Sequence, residues 1–244
     1  MYLDKKVTIL LPTAGAGTRM GGKVRKQYLL LREKEILRWT LEHLNKISYW
    51  DELFVIVPSE DVVDVNEKIS EWLFDTTRKI MVIPGGETRQ QSVLNGLKAS
   101  GNDTEYVIVH DGVRPFIPIV KTETALKKLI ETPVLYGIIA GVKVTDTLKS
   151  VNLAEVIEST VDREKIWAVQ TPQIFRYKEL VDAHYSATQQ NIAVTDDAAL
   201  LETMGNSVGI FESDRSNIKI TEPYDLILAD VLIDRYMKSL EVLR

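Results

Sequence analysis

The chain has 244 residues, 45% of them hydrophobic and 27% charged, a composition typical of soluble globular proteins and long enough to bury a sizeable core. Lysine and arginine number 30 against 35 aspartates and glutamates, a formal net charge of −5; such a chain has no global attraction to nucleic acid or an anionic membrane, so anion binding must come from a local cluster. Cysteine is absent, which excludes disulfides, thiolate metal sites and a cysteine nucleophile.

The start, Met1-Tyr2-Leu3-Asp4-Lys5-Lys6, lacks the apolar core of a signal peptide, and no apolar run approaches a membrane span. The expectation is a cytoplasmic protein. Val7 to Leu11 then reads as a buried strand. It runs into Pro12 and a stretch with four glycines among the ten residues from Thr13 to Gly22, followed closely by Lys23, Arg25 and Lys26. Glycine lets the backbone turn tightly and approach a ligand, so that successive N–H groups line up on an anion, and fixed cations add the charge. Strand, glycine loop and cations together describe a phosphate cradle.

Several readings compete for this loop. Gly17 to Lys23 fits the first part of a P-loop, but Val24 stands where that motif needs the Ser or Thr that ligates magnesium. The dinucleotide-binding fingerprint fails because Met20 occupies its last glycine position. A plain surface turn with solvated charges is the bland alternative. What remains is a nucleotide loop of another type, with Arg19 and Lys26 as the working cations.

Further along, Glu35 to Lys46 has its apolar residues at helical spacing, Leu53 to Val57 is a strand ended by Pro58, and Glu60 to Leu73 suits an amphipathic helix. Lys79 to Ile83 is a strand leading into Pro84-Gly85-Gly86, with a helix from about Arg89 to Ala99. Tyr106 to Val109 is a strand followed by His110-Asp111-Gly112-Val113-Arg114-Pro115, and a helix runs from about Ile119 to Glu131. This alternation predicts an α/β fold, a parallel sheet with helices on both faces. Functional groups in such sheets gather at the carboxyl ends of the strands, so the opening loop, Gly85 to Arg89 and His110 to Pro115 should share one edge.

From Gly141 to about Lys165 the rhythm breaks. Val142 to Lys149 alternates with period two and Ala154 to Val161 resembles a second strand, together a half-exposed hairpin or arm. An exposed strand pair needs cover, and a partner subunit is the usual one. Thr195-Asp196-Asp197 opens a helix to about Met204, with a capping hydroxyl and acids in its first turn. Val208 to Phe211 and Ile218 to Ile220 read as short strands, and Pro223 starts a closing helix to about Leu240. With no linker or repeat, residues 1–244 read as a single domain bearing an arm at 142–165.

Asp111 follows four apolar residues, at a strand end beside the proposed phosphates, where a carboxylate is a natural magnesium ligand. The competing reading is an aspartate capping the turn before Gly112. His110 reads as an orienting neighbour. His43 and His184 sit in helical stretches with no matching partners and receive no role.

The loop ending Lys26-Gln27-Tyr28 resembles the signature of the cytidylyltransferases acting on polyol phosphates, and most closely that of the 2-C-methyl-D-erythritol 4-phosphate cytidylyltransferases of the non-mevalonate isoprenoid pathway, with Arg25 where that family usually has proline. Gly85-Gly86-x-x-Arg89-x-x-Ser92-Val93, His110-Asp111-x-x-Arg114-Pro115, Asp146-Thr147, Thr160-Val161-Asp162-Arg163, Gln170-Thr171-Pro172-Gln173, Thr195-Asp196 and the segment from Asn217 to Leu226 resemble further family motifs, in the family's order.

The resemblance implies a mostly parallel, Rossmann-like nucleotidyltransferase sheet with a protruding β-arm, CTP and a polyol phosphate as substrates, and Mg²⁺ as cofactor. It implies that Arg19, Lys26 and Lys219 bind the triphosphate and stabilise the transition state, and that Asp111 holds the Mg²⁺. Ala14, Gly15, Ala16, Gly17, Gly86, Arg89 and Ser92 would bind the nucleotide. Arg114, Thr147, Arg163 and Thr195 would bind the methylerythritol phosphate, with Thr147 and Arg163 supplied by the partner in an arm-exchanging homodimer. Ribitol 5-phosphate cytidylyltransferase shares the loop, the aspartate and the fold; the segments around Arg163 and from Trp167 to Gln173 favour methylerythritol phosphate. A P-loop ATPase or kinase is disfavoured by Val24, and a non-catalytic nucleotide-binding regulator would need neither Lys219 nor an acceptor site.

Overall fold

The computed structural model describes residues 3–14, 24–73 and 76–241, with side chains through residue 238. Strand β1 (Val7–Pro12) has no polar face, and Val7 through Leu11 are all buried, as expected of a strand packed on both sides. A short ribbon, β2 (Leu30–Leu31) and β3 (Lys34–Glu35), leads into α1 (Ile36–Asn45). Then β4 (Glu52–Val57), α2 (Val62–Trp72), β5 (Lys79–Pro84), α3 (Arg89–Ser100), β6 (Tyr106–Val109) and α4 (Ile119–Glu131) alternate strictly. They are followed by β7 (Gly137–Lys143), β8 (Leu148–Val151), β9 (Ile157–Val161) and the ten-residue β10 (Trp167–Arg176). The chain closes through α5 (Tyr177–Gln190), α6 (Asp197–Thr203), β11 (Val208–Glu212) and α7 (Pro223–Glu241).

Seven strands form one sheet in the order β11-β7-β10-β6-β1-β4-β5, parallel except for β10, which runs antiparallel to both of its neighbours. Successive side chains point to opposite faces, and the core divides accordingly. Ile9, Leu11, Val55 and Val57 pack with α1, α2 and α4 on one face, while Leu10, Phe54, Ile56 and Val109 pack with α3, α5 and α6 on the other. A third cluster, including Val113, Phe116, Ile220, Ile233 and Tyr236, seats α7 against the loop after β6. No helix among the described residues is long and apolar enough to cross a membrane.

The expected α/β architecture is present, with several local differences. The strand expected over Val142 to Lys149 is two pieces. Val142 and Lys143 belong to β7 and pair with Ala168 and Trp167, so the separate hairpin is only β8 with β9. Period-two alternation is the same in a sheet end and in an exposed ribbon, so it does not mark the break between them. Ile218 to Ile220 is not a strand; Ile220 donates to the Val113 carbonyl and its side chain is buried under α7. The cap of α6 is Asp196, whose carboxylate accepts from the Ala199 N–H at 3.2 Å, and not the Thr195 hydroxyl. Strand β10 is unmarked in the sequence because its middle, Gln170 to Gln173, is polar and its register shifts there, turning polar side chains towards the strand ends that carry the site.

Candidate active site

Parallel strands β1, β4, β5 and β6 all end on the same edge, and their loops meet there closely enough to require glycine. A Cβ on Gly112, after β6, would stand 2.2 Å from the Thr13 side chain at the end of β1. A Cβ on Gly85, after β5, would stand 2.6 Å from that of Ala14 and 2.9 Å from the Ser92 hydroxyl. The packed loops enclose a cavity of about 260 Å³, lined by Thr13, Ala14, Lys26, Gly86, Arg89, Ser92, Asp111 and Lys219 among others. A second cavity of about 240 Å³ lies beside it, lined by Arg114, Gln170, Thr171, Thr195 and Asp196. Arg89, Asp111 and Lys219 line both.

Asp111 is the electrostatic centre. Lys219 Nζ stands 2.9 Å from its Oδ2, Arg114 Nε 3.3 Å from the same oxygen, and Arg89 Nε 3.5 Å from Oδ1. Burial alone would push this carboxyl up, but Lys219 first, then Arg89 and Arg114, outweigh it and hold it well below the usual carboxylate range. Asp111 is therefore ionised at any working pH, and its single negative charge sits within a ring of cations. Such a ring is suited to receive further anions.

Several neighbours fix this arrangement. The Asp111 N–H donates to the Thr171 hydroxyl at 3.0 Å, and the Arg114 guanidinium donates to the Asn217 carbonyl at 2.8 Å. The Asn217 side-chain amide bonds to the Gln170 side chain at 3.0 Å and the Thr171 carbonyl at 2.8 Å, tying the segment that carries Lys219 to β10. His110 is buried between Thr171 and the Arg114 carbonyl, and burial pushes its imidazole down to about 4. It is uncharged at neutral pH and links Thr171 to the Arg114 backbone. The Ser92 hydroxyl accepts from the Gly86 N–H at 3.0 Å and donates to the Thr88 carbonyl at 2.9 Å, so it shapes the Gly85–Gly86 turn.

Lys26 sits in a one-turn 3₁₀ segment that Arg25 anchors. Arg25 pairs with Asp61 at 2.7 Å and with Glu60, while the Tyr28 hydroxyl donates to Asp61 at 2.7 Å. The φ of Arg25 is −66°, the value a proline ring would impose. In place of proline the chain thus keeps the same backbone conformation and secures it with a cation bound to two acids.

The structure brings Ala14, Lys26, Gly86, Arg89, Ser92, Asp111, Arg114, Thr195 and Lys219 to these two cavities. Thr147 and Arg163 line neither; both are exposed beside the β8–β9 hairpin, where Arg163 donates to the Thr145 carbonyl. Gly15, Ala16, Gly17 and Arg19 lie outside the described residues. His184, assigned nothing from the sequence for want of a partner, has a buried carboxylate as neighbour: its Nε2 is 3.3 Å from Asp197 without hydrogen-bond geometry, and Asp197 in turn holds Arg89 at 2.6 Å. These residues come from α5, α6 and α3, and only the fold makes them neighbours. His43 is also partnered, with its Nδ1 2.6 Å from the Pro115 carbonyl.

The donor set fits a magnesium ion that arrives with phosphates. Mg²⁺ takes one or two carboxylates and completes its shell with phosphate oxygens and water. Asp111 is one ionised carboxylate facing both cavities, and no cluster of three acids, histidines or cysteines occurs among the described residues.

Comparison with known proteins identifies relatives of the whole chain and of its fold. The family model described as 2-C-methyl-D-erythritol 4-phosphate cytidylyltransferase (IspD) matches residues 7–235. A protein of that name from Geotalea uraniireducens (strain Rf4) is 41% identical over 231 residues, covering 93% of this chain and 97% of its own. One from Desulforamulus reducens is 37% identical over 231 residues, covering 94% and 96%. Among solved structures, the 4-diphosphocytidyl-2C-methyl-D-erythritol synthase of Anaerococcus prevotii superposes with a TM-score of 0.83 at 27% identity, covering 94% of this chain and 96% of that one. The 2-C-methyl-D-erythritol 4-phosphate cytidylyltransferase of Francisella tularensis gives 0.77 at 29% identity, covering 94% and 100%.

Proposed function

Because the chain belongs to the 2-C-methyl-D-erythritol 4-phosphate cytidylyltransferase family, we propose that its two adjoining cavities take the two reactants of that transfer, CTP in the first and the methylerythritol phosphate in the second. The enzyme moves CMP from CTP to 2-C-methyl-D-erythritol 4-phosphate, giving 4-diphosphocytidyl-2-C-methyl-D-erythritol and pyrophosphate, a step of isoprenoid precursor synthesis. The observation that carries the assignment of sites is the wall shared by the cavities: Arg89, Asp111 and Lys219 face both, where an oxygen of one phosphate must meet the α-phosphorus of the other.

A phosphate oxygen of the acceptor attacks the α-phosphorus, the bond to the β-phosphate oxygen breaks, and pyrophosphate leaves with that electron pair. Attacker and target are both anions, so charge neutralisation and alignment dominate over acid–base chemistry. The acceptor phosphate has a second pKa of roughly 6 and is already largely ionised near neutrality, so no general base is needed. Lys26 and Lys219, with Arg19, bind the triphosphate and stabilise the charge that grows on it. Gly86 and Ser92 shape the base pocket, and Ala14, Gly15, Ala16, Gly17 and Arg89 also bind the nucleotide. Arg114 and Thr195 bind the acceptor phosphate. Asp111 would hold Mg²⁺, which when bound supplies further positive charge to the phosphate oxygens.

Thr147 and Arg163 act in the partner's site. The motive is the β8–β9 hairpin, which exposes Val151, Val156 and Ile157 at 51%, 58% and 60%, an apolar surface suited to a second copy of the chain. The active unit is then a homodimer with exchanged arms, working in the cytoplasm. Incubation with CTP, Mg²⁺ and either 2-C-methyl-D-erythritol 4-phosphate or ribitol 5-phosphate, followed by pyrophosphate release, tests the acceptor. Turnover should be strongly biased to the former; preference for ribitol 5-phosphate would overturn the assignment, and no turnover with either would favour a nucleotide-binding regulator.

A further inference from the structure

Arg89 faces both cavities, yet its shortest contact points away from them. One guanidinium nitrogen is 2.6 Å from Asp197 Oδ2 in the first turn of α6, and Asp197 is only 1% exposed. Behind that carboxylate, the fully buried His184 of α5 stands 3.3 Å from Oδ1. A line of contacts therefore runs from Asp111 through Arg89 and Asp197 to His184, and the reaction as described uses neither of the last two. Taking the Asp197 carboxylate out of water is costly, and the Arg89 side chain that pairs with it stays 30% exposed, so the pair is weak evidence of a merely stabilising role. Its place is specific as well. Asp197 directly follows Thr195 and Asp196 of the acceptor cavity, and Asp196 is itself held by Gln173 at 2.8 Å.

We propose that Asp197, backed by His184, is a positioning residue that clamps Arg89 at the junction of the cavities, so that its guanidinium meets the acceptor phosphate instead of swinging onto the triphosphate. A long arginine side chain left without this partner would follow the larger negative charge, and the junction would lose a preorganised cation. The inference rests on the reading of the two cavities given above.

Two readouts test it. The Arg89 Nη–H resonances, from the nitrogen that faces Asp197 and assigned by their loss in Arg89→Lys, should exchange slowly with solvent in the wild type and rapidly in Asp197→Asn, with Asp197→Glu restoring slow exchange. In kinetics, Asp197→Asn should raise the acceptor KM by about tenfold or more while leaving CTP binding within about threefold, a split that loss of folded protein does not produce. Adding Asp197→Asn to Arg89→Ala should cost nothing further. Should Asp197→Asn fold poorly, His184→Leu, which removes only the backing, should speed the same exchange. Unchanged exchange in a folded Asp197→Asn or His184→Leu protein, or additive losses in the double variant, would overturn the clamp. Absence of turnover in the wild type would instead sink the reading of the cavities, and the exchange measurement would still decide the clamp.

Discussion

At the scale of single residues, the site is a balance of charge around one carboxylate. Asp111 collects Lys219, Arg114 and Arg89, and the approaching phosphates enter a region already arranged for anions. Lys26 reaches the same cavity from the far end of the opening loop. Lys26→Ala should lower kcat by about 10² or more, the scale of losing one preorganised donor, with the fold intact because Lys26 opens a single 3₁₀ turn and is not part of the buried core. Near-normal turnover in the folded variant would remove Lys26 from the mechanism. The buried histidines give a second prediction. Burial holds His43 and His110 down to about 4 from an ordinary 6.5, so both are neutral in the folded protein where the unfolded chain begins to bind protons. Stability is then full above pH 6.5 and falls as the pH drops towards 4, with each histidine costing on the order of 3 kcal/mol at the lower end. Urea unfolding of His43→Gln should show a shallower decline over that window than the wild type; an equal slope would contradict the cause.

At the scale of elements, the site depends on how closely three loops pack at one sheet edge. Gly112 lies against Thr13 so tightly that an added methyl has no room. Gly112→Ala should cost about 1–3 kcal/mol by overpacking and displace Asp111 from its cations, so that turnover falls along with the unfolding midpoint. Unchanged stability would mean that the loops can part without penalty. The sequence reveals this edge well: apolar runs ending in Gly85-Gly86 or in Asp111-Gly112 mark strand ends, and the alternation with helices implies that they converge. It conceals β10, because a strand whose centre is Gln170 to Gln173 lacks the apolar run that betrays its neighbours. It also conceals the Arg89–Asp197–His184 contacts, since residues 89, 184 and 197 share no spacing and meet only when α3, α5 and α6 pack on the same face. Arg25 illustrates a third case. Read as a sequence it is a lost proline; in the fold it keeps the proline's φ and gains Asp61 and Glu60 as anchors.

At the scale of the whole molecule, the described chain brings Lys26, Arg89, Asp111 and Lys219 to one cavity and leaves Thr147 and Arg163 exposed beside the β8–β9 hairpin, lining neither cavity. If arms cross between subunits, an Arg163→Ala chain fails in its partner's site while its own Lys26 is intact. Dissociating and reassociating equal amounts of Arg163→Ala and Lys26→Ala protein should place about half the dimers in the mixed form, each with one complete site, for recovery near a quarter of wild type. No recovery despite confirmed heterodimers would mean that Arg163 serves its own subunit.

The central claim is that the acceptor phosphate attacks CTP directly across the Asp111 junction, with cations and alignment carrying the reaction and no covalent enzyme intermediate. The stereochemical course at the α-phosphorus tests it most directly. With a single diastereomer of CTP bearing sulfur on the α-phosphorus, one in-line displacement predicts inversion of configuration in the diphosphocytidyl product. Retention would reveal two displacements, with Lys26, Lys219 or another group carrying CMP between them, and would contradict the account.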